Sequence, residues 1–176
     1  MWRFLLFIIS FFIFPTTSHA LNANEICVID AIIHEAGGEI DEGKVGVAYV
    51  IKNRSLTTGY SPCYIVHEQH NGQYQFSFMA FKHTLPKKTS LWVKAQNITR
   101  QVLHNEIKDI TNGAQFFHRC SITLASNSNF KFVKKIGHHC YYKDRKITDK
   151  YSDITFNKAK HFNPALHIPE DMLNNT

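Results

Sequence analysis

The segment His34-Glu35-Ala36-Gly37-Gly38-Glu39 places two carboxylic acids on either side of a pair of glycines. Glu35 falls in the last turn of a predicted helix, where the negative end of the helix dipole and nearby apolar residues disfavour a charged carboxylate. A glutamate that stays protonated can donate its proton to a leaving sugar oxygen, which is the general-acid step that glycosidic bonds require. A solvated helix end is the ordinary alternative for a glutamate at such a position.

Two helices are predicted to position this acid. From Glu25 to Ala36 the apolar residues repeat at helical spacing, and the two glycines end the helix. Asp41 and Glu42 then stand where the start of a helix favours acidic residues. We expect the second helix to be buried at the centre of the fold, because apolar residues surround most of its axis. These residues are Val45, Val47, Ala48, Tyr49, Val50 and Ile51.

The rest of the chain is predicted to complete an α+β domain. Turn signals follow the second helix, and Tyr74 to Phe78 is either a short extended stretch or a loop that lines a pocket. Ser90 is expected to cap a third helix that runs to about Glu106. Segments 114–122 and 130–142 are rich in aromatic and β-branched residues, which favours a β-hairpin or irregular paired strands.

The first twenty residues are typical of a secretory signal peptide. Trp2-Arg3 supplies the positive charge, and the run from Phe4 to Phe14 is apolar at every position but one. This run is too short to span a bilayer comfortably, although a retained signal anchor is the alternative. We therefore expect an exported protein in the periplasm or the extracellular cell wall. The expected parts are a signal at 1–20, a catalytic domain at 21–146 and a C-terminal tail at 147–176.

Four cysteines lie beyond the predicted cleavage site. An even number in an exported chain favours two disulfides, and three pairings are possible. We expect Cys27 to pair with Cys63, and Cys120 with Cys140, because each pair would join neighbouring elements of the chain. A zinc site is the competing interpretation, but no Cys-x-x-Cys occurs and the cysteines are far apart.

Length, composition and charge favour one compact domain with an acidic partner. The 176 residues suit a single core, and 44% hydrophobic against 19% charged residues exclude a disordered chain. The net charge of +6 and the pI near 9.1 favour peptidoglycan, with its peptide carboxylates, or a membrane surface. The lysines are scattered, so nucleic acid is not an expected partner.

Several blocks of the sequence resemble the SleB-type cell wall hydrolases, the spore-cortex-lytic enzymes and their relatives in other bacteria and phages. The resemblance covers roughly Ile26 to Tyr142, and blocks that follow one another in the family's order are more specific than any single motif. The blocks are HEAGGE at 34–39, EGKVGVAYVIKNR at 42–54, Gln75-Phe76-Ser77, NGAQFFH at 112–118 and IGHHCYY at 136–142.

The resemblance implies a small lysozyme-like, mostly helical α+β domain with a short β-hairpin or irregular sheet. It implies cleavage of peptidoglycan strands between N-acetylmuramic acid and N-acetylglucosamine, with Glu35 as the catalytic acid. Members often act as lytic transglycosylases, in which one glutamate serves as acid and then as base and the 6-hydroxyl of muramic acid replaces water. No cofactor or metal is implied.

The matching blocks also contain candidate substrate-binding residues, for each of which a structural role is the alternative. They are Glu39, Gln75, Ser77, His118, His139 and Tyr142. Two positions depart from the family pattern. Gly37 stands where an arginine is usual, and Cys140 replaces an aromatic or aliphatic residue.

Two other functions remain open from the sequence. His67 and His70 are spaced to lie one helical turn apart, and with His138-His139 they permit a zinc-dependent N-acetylmuramoyl-L-alanine amidase. The segment HEAGGE itself lacks the second histidine of a zincin. A cell-wall-binding module without catalysis is the other function. We expect a monomer that meets a membrane only through its signal before cleavage.

Overall fold

The computed structural model of the chain describes residues 20–82, 84–85, 87, 89–122 and 129–145. Within these ranges four α-helices pack around one main core, and two small antiparallel sheets lie beside them. None of the helices described there has the length and apolar character needed to cross a membrane. The predicted signal and the predicted tail lie outside the described residues.

Helix α1 spans Ala23–Ala36 and begins at a capping box. The N–H of Glu25 donates to Oδ1 of Asn22 (3.0 Å), and the N–H of Asn22 donates to Oε2 of Glu25 (2.8 Å). The predicted helix is confirmed, with its first residue two positions earlier. Its core-facing stripe is fully buried and includes Val28, Ile29, Ala31 and Ile32.

Helix α2 spans Asp41–Thr58 and is the centre of the fold, as predicted. Acidic residues occupy its first turn, and it ends at Gly59, whose positive φ of 83° lets its N–H donate to the carbonyl of Ser55. The helix contacts each of the other three helices and two strands of the larger sheet. Even Lys44 and Lys52 are buried along it, because neighbours surround the helix on nearly all sides.

Helix α3, Pro62–His67, was not predicted from the sequence. Its start carries two ordinary signals, because Ser61 accepts a hydrogen bond from the N–H of Tyr64 (3.2 Å) and a proline follows in the first turn. Six residues are too few to produce a helical repeat, which is why the pattern did not reveal it.

The segment that follows α3 is short and irregular. Strands β1, Gln69–His70, and β2, Gln73–Tyr74, pair around an Asn71-Gly72 turn in which both residues have positive φ. A 3-10 helix, Ser77–Ala80, comes next. The predicted extended stretch from Tyr74 to Phe78 is therefore divided between the end of β2, a connecting bend and this helix.

Helix α4 spans Ser90–Leu103 and ends three residues before the predicted Glu106. The prediction that Ser90 caps it was wrong. Thr89 is the N-cap, since its hydroxyl accepts from the N–H of Trp92 (3.1 Å) and Ser90 is already the first helical residue. Both residues are good caps, and the sequence does not distinguish neighbours of this kind.

The larger sheet has three antiparallel strands in the order β3, β5, β4. Both predicted strand segments are confirmed, and the second one divides at a turn. The strands are β3, Phe116–Arg119; β4, Phe130–Ile136; and β5, His139–Asp144.

Tyr141 fixes the sheet on α2. This residue is fully buried, and its hydroxyl donates to the carbonyl of Gly43 (3.2 Å). A Cβ at Gly46 would lie 2.2 Å from that hydroxyl oxygen, so glycine is needed there for the close approach of strand and helix.

Both predicted disulfides are present. Cys27 bonds to Cys63 and joins α1 to α3, while Cys120 bonds to Cys140 and joins the residue after β3 to β5. The Cα atoms are 5.1 and 5.0 Å apart. Each bridge closes a loop in the unfolded chain and so reduces its conformational entropy.

We expect the double substitution Cys120→Ala/Cys140→Ala to lower the free energy of unfolding by about 3 kcal/mol, the loop-closure entropy for cysteines this far apart in sequence. Their separation is 20 residues. Urea denaturation measures the change, and Ser121→Ala is the control for the neighbouring surface. An unchanged urea midpoint would show that this bridge does not stabilise the fold.

Candidate active site

Glu35 lies in the last turn of α1, at the end of the helix's buried stripe. Ala31 and Ile32, four and three residues earlier, occupy the same face and are fully buried. The glutamate is only partly buried, because the helix ends one residue later. Helical periodicity therefore brings a carboxyl group to the edge of the core.

The environment of the Glu35 carboxyl favours its neutral form. Desolvation by burial raises the pKa of Glu35 above its ordinary value. In the part of the chain that the structure describes, no hydrogen bond or ion pair reaches this carboxyl to offset that effect. Such a group can keep a proton at a pH where an exposed glutamate has lost it.

A row of rings runs from the neighbour of this acid to strand β5. His34 stacks on Phe78 with centroids 4.9 Å apart, and Phe76 lies 6.3 Å from both Phe78 and Phe117. Phe117 in turn lies 5.0 Å from His139. Phe76 and His139 are buried, whereas His34, Phe78 and Phe117 are at least partly exposed. The apolar side of a sugar can pack on ring faces and edges that are exposed in this way.

Glu39 has the opposite electrostatic environment. Its N–H donates to the carbonyl of Ala36 (3.0 Å), and its side chain is only 8% exposed. Burial acts to raise the pKa of Glu39, but hydrogen bonds from the His138 backbone N–H and imidazole, with attraction from His139 and His138, lower it below its ordinary value. The Glu35 carboxyl is therefore biased towards its neutral form, and the Glu39 carboxyl, four residues later, is biased towards its ionised form.

Of the predicted substrate-binding residues, His139 lies on the face of the sheet towards α2. It is 4% exposed, and its Nδ1 is buried with no hydrogen-bond partner among the described residues. Burial lowers the pKa of His139, which favours the neutral imidazole. A buried polar nitrogen without a partner is a candidate for contact with a ligand or water.

His118 and Tyr142 lie on the other face of the sheet. They stack on each other with centroids 4.7 Å apart. Side chains alternate between the two faces along β5, so Tyr142 lies on the face away from Tyr141, which packs on α2. The structure therefore does not bring His118 and Tyr142 together with His139.

Gln75 and Ser77 are exposed on either side of Phe76, which is 3% exposed. The N–H of Gln75 donates to the carbonyl of Glu68 (3.0 Å), which fixes the backbone before the row of rings. Because the residue between them is buried, both polar side chains lie outward at the edge of that row.

A family model described as Cell Wall Hydrolase matches residues 38–142, which is more than half of the chain. The chain belongs to the cell wall hydrolase family. Glu35 lies three positions before the first matched residue, so its proposed role rests on its own environment. A search of curated proteins gave no match.

The fold resembles a solved member of the SleB group. The crystal structure of the catalytic domain of the Bacillus cereus SleB protein matches with a TM-score of 0.53 and 22% sequence identity. The match covers 71% of this chain and 94% of that chain. The predicted SleB-type family and α+β fold are confirmed.

Arg54, at the end of a block shared with the family, was not predicted as a site residue. It forms an ion pair with Glu68, and its guanidinium lies 6.0 Å from the Phe76 ring centroid and 5.6 Å from that of Phe116. Its side chain is 11% exposed. Arg54 therefore holds the row of rings against the sheet, a role that its place at the end of a buried helix gave little reason to expect.

Asn53 has a related supporting role beside it. Its amide donates to Oδ2 of Asp109 and to the carbonyl of Ala114, both at 3.0 Å. Asp109 in turn accepts from the N–H of Gly113 (2.7 Å). These bonds fix the loop that leads into β3.

Among the described residues, the histidines required for the alternative function, a zinc amidase, do not form a three-ligand group. Among the described residues the cluster with metal-ligand spacing is Cys27, Cys63 and His67. The two sulfurs are joined in a disulfide, so they are not available as thiolate ligands. His70, His138 and His139 lie outside that cluster.

A cavity of about 890 Å³ lies elsewhere, between α2 and α4. The ion pair between Asp41 and Lys94 is at its edge (2.9 Å). Glu35, Glu39 and His139 do not line it, so we do not assign the chemistry to it. Its apolar lining includes Val45, Val93, Ile98, Ile107 and Ile110.

We expect Glu35→Gln to stabilise the protein near pH 7 but not near pH 4. A raised folded-state pKa means that the stability contributed by Glu35 is present below its ordinary pKa of 4.5 and is lost as pH rises through the folded-state pKa. Glutamine remains neutral at both pH values, so the variant does not lose this stability as the pH rises. Urea denaturation at both pH values measures the difference, with Glu106→Gln as the matched control. A variant less stable than the parent near pH 7 would contradict the raised pKa.

Proposed function

We propose that this cell wall hydrolase cleaves peptidoglycan glycan strands between N-acetylmuramic acid and N-acetylglucosamine, as a lytic transglycosylase with Glu35 as the catalytic residue. The observation that carries the proposal is the partly buried Glu35 carboxyl, whose pKa is raised by burial. Family membership supports the wider class of substrate. The resemblance of the block HEAGGE to the SleB-type enzymes also implies that Glu35 is the catalytic acid.

In the first step Glu35 acts as a general acid. Its carboxyl proton passes to the glycosidic oxygen while the bond from that oxygen to C1 of muramic acid breaks. The sugar that remains develops oxocarbenium character, and the ionised Glu35 next to it stabilises that positive charge. A neutral carboxyl is the required starting state, and desolvation shifts the pKa of Glu35 in the direction that favours it.

In the second step the same residue acts as a base. The Glu35 carboxylate accepts the proton of the muramic acid 6-hydroxyl while that oxygen bonds to C1. The product is a 1,6-anhydro sugar, and Glu35 is protonated again for the next cycle. One carboxyl is sufficient for this sequence, and Glu39, with its pKa lowered, is a poor proton donor.

The surroundings of Glu35 provide contacts for an amino sugar. The exposed parts of the stacked His34 and Phe78 rings can take the apolar face of a pyranose. Exposed Gln75 and Ser77 can hydrogen-bond an acetamido group at its edge. The buried Nδ1 of His139 lacks a partner among the described residues, and a buried water would satisfy it without direct contact with the sugar.

Charge and disulfides support action outside the cytoplasm. The net charge of +6 favours approach to a polymer that carries peptide carboxylates. Two disulfides persist in an oxidising compartment, which agrees with an exported enzyme in the periplasm or the extracellular cell wall. We propose a monomer as the active species.

Glu35→Gln is expected to lower kcat on purified sacculi by at least about 100-fold, because glutamine cannot donate the proton. Turbidity loss of the sacculi measures the rate, and Glu106→Gln should match the parent. Circular dichroism verifies that the variant is folded. Substantial lysis by folded Glu35→Gln would reject the catalytic role.

Mass spectrometry of the soluble products distinguishes the possible reactions. Anhydromuramic ends indicate transglycosylation, reducing muramic acid ends indicate hydrolysis, and released stem peptides indicate an amidase. EDTA should leave a glutamate-dependent enzyme active and would inactivate a zinc amidase. Binding to sacculi without any soluble product would instead identify a cell-wall-binding module.

The rate should also fall as pH rises through the pKa of Glu35. A general acid works only while protonated, and the Glu35 pKa lies above its ordinary 4.5. We therefore expect the alkaline limb of kcat/KM on solubilised glycan strands to have a midpoint above 4.5. A midpoint below that value would contradict the desolvated acid.

A further inference from the structure

The turn between β4 and β5 bonds directly to the segment that follows α1. The backbone N–H of His138 donates to Oε2 of Glu39 (3.0 Å), and Nδ1 of the same histidine lies 3.0 Å from Oε1. The two side chains differ sharply in exposure, because Glu39 is 8% exposed and His138 is 81% exposed. A fixed carboxylate thus holds a histidine that faces solvent.

The position of the Glu39 carboxylate is built into the backbone around it. Gly137 has a φ of 57°, and a Cβ there would lie 2.2 Å from Oε2 of Glu39. A Cβ at Gly43 would lie 2.8 Å from the Glu39 Cβ. Lys44 donates to the Glu39 carbonyl. The two glycines leave room for the Glu39 carboxylate, and the two donors on His138 hold it in place before any ligand binds.

The contact also determines which nitrogen of His138 remains available. An ionised carboxylate only accepts hydrogen bonds, so the nitrogen that faces Glu39, Nδ1, must carry a hydrogen. In the neutral imidazole Nε2 then has a free lone pair and acts as an acceptor. A carboxylate behind a histidine commonly sets the tautomer and the ring orientation in this way.

This histidine is joined, through Glu39, to the segment that follows the proposed catalytic acid. Glu39 follows Glu35 by four residues, and the bond from its N–H to the Ala36 carbonyl keeps it in a tight turn at the end of α1. Ile40, next to it, is 56% exposed and lies 3.7 Å from the Cβ position of Gly137. A polar nitrogen and an apolar side chain are thus exposed together beside the end of α1.

We propose that His138, oriented by Glu39, is a substrate-positioning residue whose Nε2 accepts a hydrogen bond from a hydroxyl or amide N–H of an amino sugar bound next to Glu35. The assignment rests on the proposed glycan substrate. His138 lies within the block at 136–142 but is not among the candidate substrate-binding residues that the sequence predicted.

An ordinary surface ion pair does not account for this arrangement. Exposed pairs contribute little to stability, and they do not require a buried partner or glycines that make room for it. The backbone bond from His138 already anchors the turn to Glu39. The imidazole adds a second bond whose main effect is to fix the direction of the exposed Nε2.

Three substitutions of His138 distinguish a contact with the substrate from a role in anchoring the β4–β5 turn to Glu39. Asparagine can place an amide N–H near the position of Nδ1 and so keep the bond to Glu39, but it lacks Nε2. Alanine lacks both groups. Glutamine can place a carbonyl oxygen near the position of Nε2. His104→Asn, an exposed histidine at the end of α4, is the matched control.

We expect His138→Asn and His138→Ala to raise KM for solubilised glycan strands about 3- to 10-fold, the effect of one lost hydrogen bond, with a smaller change in kcat. His138→Gln should recover part of that loss, and His104→Asn should match the parent. Thermal unfolding should show no loss of stability for His138→Asn. A KM of His138→Asn equal to that of the parent would overturn the proposal.

Sacculus binding in the inactive Glu35→Gln background separates this inference from the proposed function. Weaker binding of the Glu35→Gln/His138→Asn double variant supports the contact even if product analysis rejects transglycosylation. Equal binding of the two proteins, with normal cleavage by His138→Asn, rejects the contact and leaves the proposed function intact.

Discussion

Desolvation of one carboxyl group at the end of α1 is the constraint on which the site depends. The helical repeat that buries Ala31 and Ile32 also carries Glu35 to the edge of the core. A glutamate there costs stability at neutral pH, because burial disfavours its charged form. The fold tolerates that cost at Glu35, which agrees with the proposed role of this carboxyl in proton transfer.

Two carboxyl groups four residues apart have opposite electrostatic environments because their partners differ. The Glu35 carboxyl is desolvated and accepts no hydrogen bond from the described residues. The Glu39 carboxylate is also desolvated, but it accepts two hydrogen bonds from His138. The donors outweigh desolvation at Glu39, so its pKa falls while that of Glu35 rises. Separation of this kind agrees with the proposed roles, in which Glu35 transfers the proton and Glu39 supplies a fixed charge.

The sequence predicted what depends on local repeats and missed what depends on distant contacts. Helical spacing predicted α1, and the cysteine count with proximity predicted both disulfides. Helix α3 was missed because one short turn produces no repeat. The bond from His138 to Glu39 spans 99 positions along the chain, and no local pattern reveals a pairing of that range.

The register of β5 decides which of its side chains can serve the site. Tyr141 packs on α2 through the space at Gly46, and alternation then places His139 on the same face and Tyr142 on the other. A shift of one residue would exchange these faces and bury the wrong side chains. Because His138 lies in the turn before the strand, its position follows from the same register. The close approach of strand and helix at Gly46 therefore determines which face of the sheet His139 occupies and where the turn that carries His138 begins.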